Sequence, residues 1–225
     1  MVPKALTAAA VGIALLTGCA AHGDKVASTK AVDSHETAPP PAEQVPAPIL
    51  HSGDVWIDRI QGNDREFRIE SVLQDGTMNV SFWGSEMTTD PNLNIIVYRS
   101  LTEASSDPSI SDKPGVWFSF PLYPGKSWVN DYSWKITGAS ANTGQAEDVG
   151  KVLGWEDVTV PAGTFHCLKT EVNSRFFGKG GMFDESHLTY WYAPKVNRFV
   201  RFDYHSNYEG TVIAELVEYK PATAH

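Results

Sequence analysis

The stretch Asp131-Tyr132-Ser133-Trp134-Lys135-Ile136 alternates polar residues with large apolar ones. The same period of two recurs from Thr77 to Phe82 and around Phe67 and Ile69. Successive side chains of a β-strand point to opposite faces, so this alternation is typical of strands with one face in a core. Further runs rich in β-branched and aromatic residues lie at 93–99, 116–120, 164–173, 186–193, 199–205 and 211–219. The pattern favours strands almost throughout, and no segment has the period of an amphipathic helix.

Tight turns between these runs favour an antiparallel meander. Val160-Pro161-Ala162-Gly163 has proline at the second and glycine at the fourth position of a turn, as a hairpin connection requires. Residues 74–76 and 138–144 also have the composition of hairpin tips. A meander must curve or close to protect its edge strands. We therefore predict an all-β fold: a single antiparallel meander domain with a strongly curved sheet or partly open barrel of about ten strands.

The domain boundary follows from the aromatic residues. All 7 tryptophans, 8 tyrosines and 10 phenylalanines lie after position 50, so we assign residues 51–220 to the β-rich domain and 221–225 to a tail. Residues 19–50 are rich in Ala, Pro, Ser, Thr and Glu, and such a segment buries too little apolar surface to offset its ordering entropy. We expect a disordered tether of about 30 residues that spans on the order of 30 Å.

The first residues have the features of a secretory signal. One lysine, Lys4, precedes an uncharged run from Ala5 to Leu16. A run of about 12 residues is too short for a membrane-spanning helix, which needs roughly 20. We assign residues 1–18 to a signal peptide.

That signal ends in Leu16-Thr17-Gly18-Cys19, which resembles the lipobox of bacterial lipoproteins. The resemblance implies that Cys19 carries fatty acyl chains such as palmitate and begins the mature protein. Two or three acyl chains would hold the domain stably at a membrane without spanning it. Ala20, rather than Asp, implies release to the outer membrane, facing the periplasm. An ordinary signal peptide cut after Ala20 or Ala21 is the alternative.

Three later stretches resemble a known kind of domain. They are Phe120-Pro121-Leu122-Tyr123-Pro124-Gly125-Lys126-Ser127-Trp128, Val160-Pro161-Ala162-Gly163-Thr164-Phe165 and Tyr190-Trp191-Tyr192-Ala193-Pro194. In this order they resemble bacterial secreted β-domains of unknown function, of the TapB-like kind. The resemblance covers about half of the chain, mainly 115–220, and implies an extended hairpin array but no activity. This chain has Lys195 where such sequences often have glycine, and Asn197 can supply the left-handed turn residue instead.

Cys167 is the cysteine that remains after lipidation of Cys19, so no intramolecular disulfide is expected. Alternation places Cys167 on the face of Phe165, which predicts a buried structural thiol rather than a reactive one. The adjacent His166 points to the opposite face, which argues against a Cys–His catalytic pair.

Other candidate catalytic or metal-binding groups are dispersed along the chain. His166, His187 and His205 fall on three predicted strands, and a zinc site built across strands is one hypothesis; the chain has no pair of histidines at i and i+2 to support it. The adjacent carboxylates Asp184-Glu185 and Glu147-Asp148 are interpreted as solvated charge near turns. We predict no cofactor, no metal and no catalytic residue.

The most promising binding segment is Gly178-Lys179-Gly180-Gly181 with its large apolar neighbours Phe176, Phe177, Met182 and Phe183. Four such side chains beside a glycine-rich turn predict a groove or a contact with a partner or membrane. The alternative is that they fold over a barrel end as core.

Composition excludes some partners and leaves others open. The net charge of −9 argues against nucleic acid and against adhesion to anionic lipid. Seven tryptophans raise the hypothesis of glycan stacking, although most lie in predicted strands. We predict a membrane-anchored, non-enzymatic periplasmic lipoprotein domain that binds an envelope protein, a glycan or an apolar small ligand. The alternative is a hydrolase acting on a cell-envelope or exported polymer, which requires two or three of Asp184, Glu185, His187, His166 and His205 to share a cleft.

Overall fold

A computed structural model describes residue 40 and residues 43–100, 107–138, 141–207 and 210–222. The predicted signal peptide, Cys19, most of the predicted tether and the end of the tail lie outside the described residues. Twelve antiparallel strands form a closed barrel in which neighbours in sequence pair and the last strand pairs with the first. The strands are β1 (Val55–Ile60), β2 (Asn63–Val72), β3 (Met78–Phe82), β4 (Ser85–Thr89), β5 (Ile95–Ser100), β6 (Ser109–Gly115), β7 (Ser127–Ile136), β8 (Asn142–Val160), β9 (Gly163–Gly178), β10 (Phe183–Ala193), β11 (Arg198–Ser206) and β12 (Gly210–Lys220).

The predicted all-β meander is confirmed, with twelve strands rather than about ten and a closed rather than partly open barrel. Strands β4 and β8 do not stand out in the sequence, because β4 has one large apolar residue, Met87, and β8 has small residues such as Gly144, Ala146 and Gly150 on its inner face. The small residues make room for larger neighbours: a Cβ added at Gly150 would lie 2.1 Å from the Trp128 ring.

The meander gives the barrel two distinct ends. At one end, called the entry end here, the chain enters β1 and leaves β12, and the turns at 73–77, 90–94, 161–162 and 194–197 lie there. The opposite, far end has the turns at 61–62, 83–84 and 179–182. Two predicted turn features are confirmed, since Gly76 has φ 83° and Asn197 has φ 55°, both left-handed.

Aromatic side chains fill the interior of the barrel. The ring of Tyr190 lies 5.1 Å from that of Phe118, 5.4 Å from that of Phe202 and 5.8 Å from that of Phe199. Trp56 is fully buried and stacks on Tyr219, with 5.0 Å between the ring centroids. Tilted and edge-to-face pairs of this kind add stability beyond the burial of their area.

Residues 116–122, called the inner segment here, connect β6 to β7 and pack against the opposite wall of the barrel. The prediction of a strand at 116–120 is wrong, because this stretch does not join the sheet. Asn94 binds it on both sides: its Oδ1 accepts from the Trp117 and Phe118 N–H groups at 2.9 and 2.8 Å, and its Nδ2 donates to the Phe118 carbonyl at 3.0 Å. The Asn94 side chain thus supplies the hydrogen bonds that a neighbouring strand would otherwise give to this backbone.

Residues 153–167, called the arm here, extend the β8–β9 hairpin past the strands on either side and pack over the entry end. The Ala162 N–H donates to the Leu216 carbonyl on β12 at 3.0 Å, and the Trp191 indole donates to the Glu156 carboxylate. Val160, Phe165 and Cys167 are buried and belong to the main hydrophobic core. The predicted turn at 160–163 therefore both reverses the chain and holds the arm against β12.

A buried ion pair joins β1 to β11 across the intervening β12. The Arg198 guanidinium donates to Asp58 at 2.8 and 3.0 Å, and neither side chain is exposed by more than 1%. The guanidinium carbon also lies 3.9 Å from the Phe199 ring centroid and 4.1 Å from that of Phe67. Removal of either partner would destabilise the folded protein strongly, because it would leave an uncompensated charge in the core.

The segment before β1 also contacts the barrel. Val45 exchanges two backbone hydrogen bonds of 2.8 Å with Leu122 of the inner segment. Val45 and Leu50 are both buried. The packed part of the chain thus begins before residue 51, the boundary set by the aromatic residues.

Candidate functional site

The predicted binding loop lies at the far end, between β9 and β10. Gly180 and Gly181 have φ of 80° and 81°, which is the left-handed region that favours glycine. Phe177 and Phe183 face each other across the two strands, half exposed at 49% and 50%, with 5.3 Å between their ring centroids. Phe176 and Met182 are half-buried. Two of the four predicted residues therefore form an exposed aromatic pair, the Phe177–Phe183 pair.

An open cleft of about 830 Å³ borders this pair on the outer face of the barrel wall. Its residues come from β6, β7, β8 and the end of β9 with the following turn; they are Ile110, Ser111, Asp112, Ser133, Trp134, Lys135, Thr143, Gly144, Gln145, Phe177, Gly178 and Lys179. The close approach of strands here requires Gly144, since a Cβ at that position would lie 1.9 Å from the Phe177 carbonyl oxygen.

The cleft combines an apolar wall with charged and amide groups. Phe177 and Ile110 supply the apolar surface, and Lys135, Lys179 and Asp112 supply the charges. The Ser133 N–H donates to Asp112 at 2.8 Å and holds the pKa of that carboxyl below its ordinary value. The lining residues include no histidine or cysteine. The cleft therefore presents both apolar and polar groups to the solvent.

The residues proposed for a hydrolase are divided between the interior, the outer wall and the arm, and none of them lines the cleft. Asp184 faces inward and accepts from the Ser206 hydroxyl at 3.0 Å, whereas Glu185 faces outward and pairs with Arg175 at 3.2 Å. His166 lies on the arm, where it bonds Asp157 at 2.7 Å.

Of the three histidines proposed for a zinc site, His187 and His205 lie next to each other, and His166 lies on the arm. His187 and His205 are directly opposite each other on β10 and β11, both exposed, and they bond Asn173 and Thr211 at 2.8 and 3.0 Å. Across the part of the chain that the structure describes, no group of three His, Cys, Asp or Glu side chains is placed to hold a metal ion.

Cys167 is fully buried, as predicted, and its thiol donates to the Phe165 carbonyl at 3.4 Å. Burial, helped by the nearby carboxylates of Glu156 and Asp157, raises the pKa of the Cys167 thiol to about 12. The thiolate, which is the nucleophilic form, is therefore disfavoured at neutral pH.

One buried polar group was missed by the sequence analysis. Asp148, interpreted there as solvated charge, is fully buried inside the barrel. It accepts from the Ser174 hydroxyl at 2.7 Å and from the Val116 N–H of the inner segment at 2.9 Å. Burial raises the pKa of Asp148 to about 6 despite these hydrogen bonds. The alternation Ala146-x-Asp148-x-Gly150 on one face of β8 was the available signal.

No family model and no curated protein matches this chain, so the TapB-like resemblance stays a prediction. Among solved structures, the hypothetical lipoprotein YmcC from Escherichia coli is similar with a TM-score of 0.48 and 10% identity, over 76% of this chain and 86% of that one. A protein described as exported, with a YmcC-like fold, from Bacteroides fragilis has a TM-score of 0.44 and 15% identity over 78% and 99%. A protein described as a lipoprotein from Parabacteroides distasonis has a TM-score of 0.37 and 18% identity over 78% and 97%. Values this low assign no family.

Within the described ranges, no helix is long and apolar enough to cross a membrane.

Proposed function

We propose that this chain is a lipid-anchored, non-enzymatic domain of the bacterial envelope, at the periplasmic face of the outer membrane, that binds an envelope protein at the far end of its barrel. The observation that carries the proposal is the Phe177–Phe183 pair, half exposed beside an open cleft. Exposed aromatic pairs cost solubility unless a partner covers them, and aromatic residues are enriched at the centres of interfaces.

The position of the pair suits a domain tethered through Cys19. The chain enters the barrel at the entry end, and the pair lies at the opposite end. A tether therefore leaves the cleft directed away from the point of attachment. Its span, on the order of 30 Å, lets the domain meet partners beyond the immediate membrane surface.

Two other predicted ligand classes have less support. An apolar ligand needs an interior cavity or a concave sheet, but the barrel interior is occupied by its own rings, such as Tyr190 and Phe202. A glycan bound by tryptophan needs an open indole face. Trp56, Trp134 and Trp191 are buried, and Trp155, which is 39% exposed, has one face stacked on His166.

The hydrolase alternative has less support. Its candidate residues are divided between the interior, the outer wall and the arm. The thiol of Cys167 is buried and its pKa is raised. None of these groups lines the cleft beside the Phe177–Phe183 pair.

Crosslinking in cells tests this function. A photoreactive residue placed at Phe177 or Phe183, with Cys19 and the rest of the chain intact, is expected to capture one specific envelope protein. The matched control is Ile213, which is similarly exposed at 42% but lies on the outer wall of β12. Capture by a photoreactive residue at Gln145, in the cleft, should be lost when Phe177→Ser is added. Equal capture from Ile213 and Phe177, or no specific protein from either loop position, contradicts the proposed binding surface.

A further inference from the structure

Exposed apolar side chains are concentrated at the entry end of the barrel. Ten large hydrophobic residues are exposed in the part of the chain that the structure describes, and five of them lie there. These five, called the entry-end patch here, are Ile49 at 75% exposure, Val72 at 40%, Leu73 at 49%, Leu153 at 43% and Trp155 at 39%.

The entry-end patch is contributed by three separate segments. Ile49 lies just before β1, Val72 and Leu73 belong to the β2–β3 hairpin, and Leu153 and Trp155 belong to the arm. The arm crosses from β8 and β9 to β12, where its turn bonds Leu216. Its buried side chains, such as Phe165, are turned to the core. The arm thus brings Leu153 and Trp155 to the same end as the β2–β3 hairpin.

We infer that the entry-end patch rests on the surface of the bilayer to which the chain is anchored. This inference depends on the lipid anchoring of Cys19 proposed above. The bilayer is the occupant because the chain that leads to Cys19 enters the barrel at this end, where Val45 is bonded to Leu122. About 26 residues separate Val45 from Cys19, and a flexible tether of that length would span roughly 28 Å. The barrel end that carries the patch is therefore the end nearer to the point of attachment.

The chemistry of the patch fits a bilayer surface. Tryptophan is enriched at the membrane–water interface, where its ring sits among head groups. Leu153 and Leu73 add aliphatic area that a head-group region accepts in part. A tether that holds two surfaces together gives an effective concentration in the millimolar range, so even a weak partition suffices.

The charge of the protein decides the class of lipid. The chain has a net charge of −9, and Asp75 and Asp157 lie near the patch on the β2–β3 turn and the arm. Anionic lipid would therefore repel this end rather than attract it. Contact with the bilayer depends on apolar insertion into a zwitterionic surface, and the far-end cleft then faces away from the membrane.

The test uses the full, lipidated protein reconstituted in phosphatidylcholine vesicles. Single cysteines at Leu73, Leu153 or Phe183 are labelled with a polarity-sensitive fluorophore, and a lipid-borne quencher is placed at head-group depth. Cys167 does not interfere, since it is fully buried in the folded protein. Labels at positions 73 and 153 are expected to be quenched several-fold more than the label at 183. Anionic phosphatidylglycerol should not increase this difference.

A second variant tests the patch itself. Leu153→Ser combined with Trp155→Ser should reduce the quenching of a label at position 73 several-fold. The matched control is Val129→Ser, because Val129 is 64% exposed but lies on the outer wall of β7, and it should leave quenching unchanged.

Vesicle sedimentation separates the two ways of failing. If the protein does not sediment with the vesicles, lipid anchoring fails and this inference fails with it. If the protein sediments but all three labels are quenched equally, anchoring stands and the orientation is overturned.

Discussion

A single carboxyl group links the interior of the barrel to the segment that fills it. Asp148 on β8 is fully buried and accepts hydrogen bonds from Ser174 on β9 and from Val116 on the inner segment. Its pKa is raised to about 6 because burial disfavours the charged form. At neutral pH the Asp148 carboxylate is therefore largely ionised inside the barrel, where the hydrogen bonds from Ser174 and Val116 favour the charged form against the effect of burial.

The stability of the protein should depend on this group between pH 4 and 6. The folded state holds the Asp148 proton more tightly than the unfolded state, so its contribution to stability is full below pH 3.8 and is lost as the pH rises through 6. The difference between a pKa of 3.8 and one of about 6 corresponds to roughly 3 kcal/mol. In Asp148→Asn, the amide can donate to Ser174 while its oxygen accepts from Val116, so this loss should disappear.

Urea unfolding at pH 4 and pH 7 measures the effect. The stability of Asp148→Asn relative to the natural protein should rise between these values by up to roughly 3 kcal/mol. The control is Glu147→Gln, the next residue on the same strand, which faces outward and should show no such change. A constant difference between the two proteins at all pH values would contradict the account of Asp148.

Individual residues show where sequence reasoning succeeds and where it fails. Alternation placed Cys167 on the buried face and His166 on the exposed face, and both placements are confirmed. Asp148 was missed because the adjacent carboxylates Glu147 and Asp148 are interpreted together as solvated charge, although alternation places them on opposite faces of β8. The partners that make a buried carboxylate tolerable are distant in sequence, so local pattern cannot reveal them.

The inner segment and the arm decide how the barrel is filled and closed. The composition of Val116-Trp117-Phe118 predicts a strand. The segment packs inside the barrel instead, because Asn94 and Asp148 accept hydrogen bonds from its backbone N–H groups. The arm reads as an ordinary hairpin, and its turn was predicted correctly at 160–163. The hydrogen bond from the arm's turn to Leu216 could not be predicted from the sequence, because it depends on β12, which lies beside the arm only when the barrel is closed.

Loss of Asn94 should destabilise the inner segment. Asn94 is 2% exposed, and Asn94→Ala leaves the N–H groups of Trp117 and Phe118 buried without their acceptor. Each unsatisfied buried group costs about 1–3 kcal/mol, so we expect a loss of roughly 2–5 kcal/mol in the free energy of unfolding, measured in urea. The matched control Asn79→Ala, on the exposed face of β3, should change it by less than about 0.5 kcal/mol. Similar losses in both variants would mean that Asn94 does not fix the inner segment.

At the scale of the whole molecule, the meander places two surfaces at opposite ends. The Phe177–Phe183 pair and the cleft lie at the far end, and the entry-end patch lies where the chain arrives from Cys19. The all-β class follows from the period of two in the sequence. Closure does not, because the pairing of β1 with β12 joins segments about 160 residues apart, as in Val55 with Lys220. The proposed orientation of the domain relative to a membrane depends on this closure, which defines the two ends.

The central claim is that Cys19 is lipidated and holds the domain at the membrane. Labelling of cells with a palmitate analogue, followed by membrane fractionation, tests it in the natural protein, in Cys19→Ser and in the control Cys167→Ser. The account predicts that Cys19→Ser loses both the lipid label and membrane retention, while Cys167→Ser keeps both. A Cys19→Ser protein that is still labelled and still retained would contradict it.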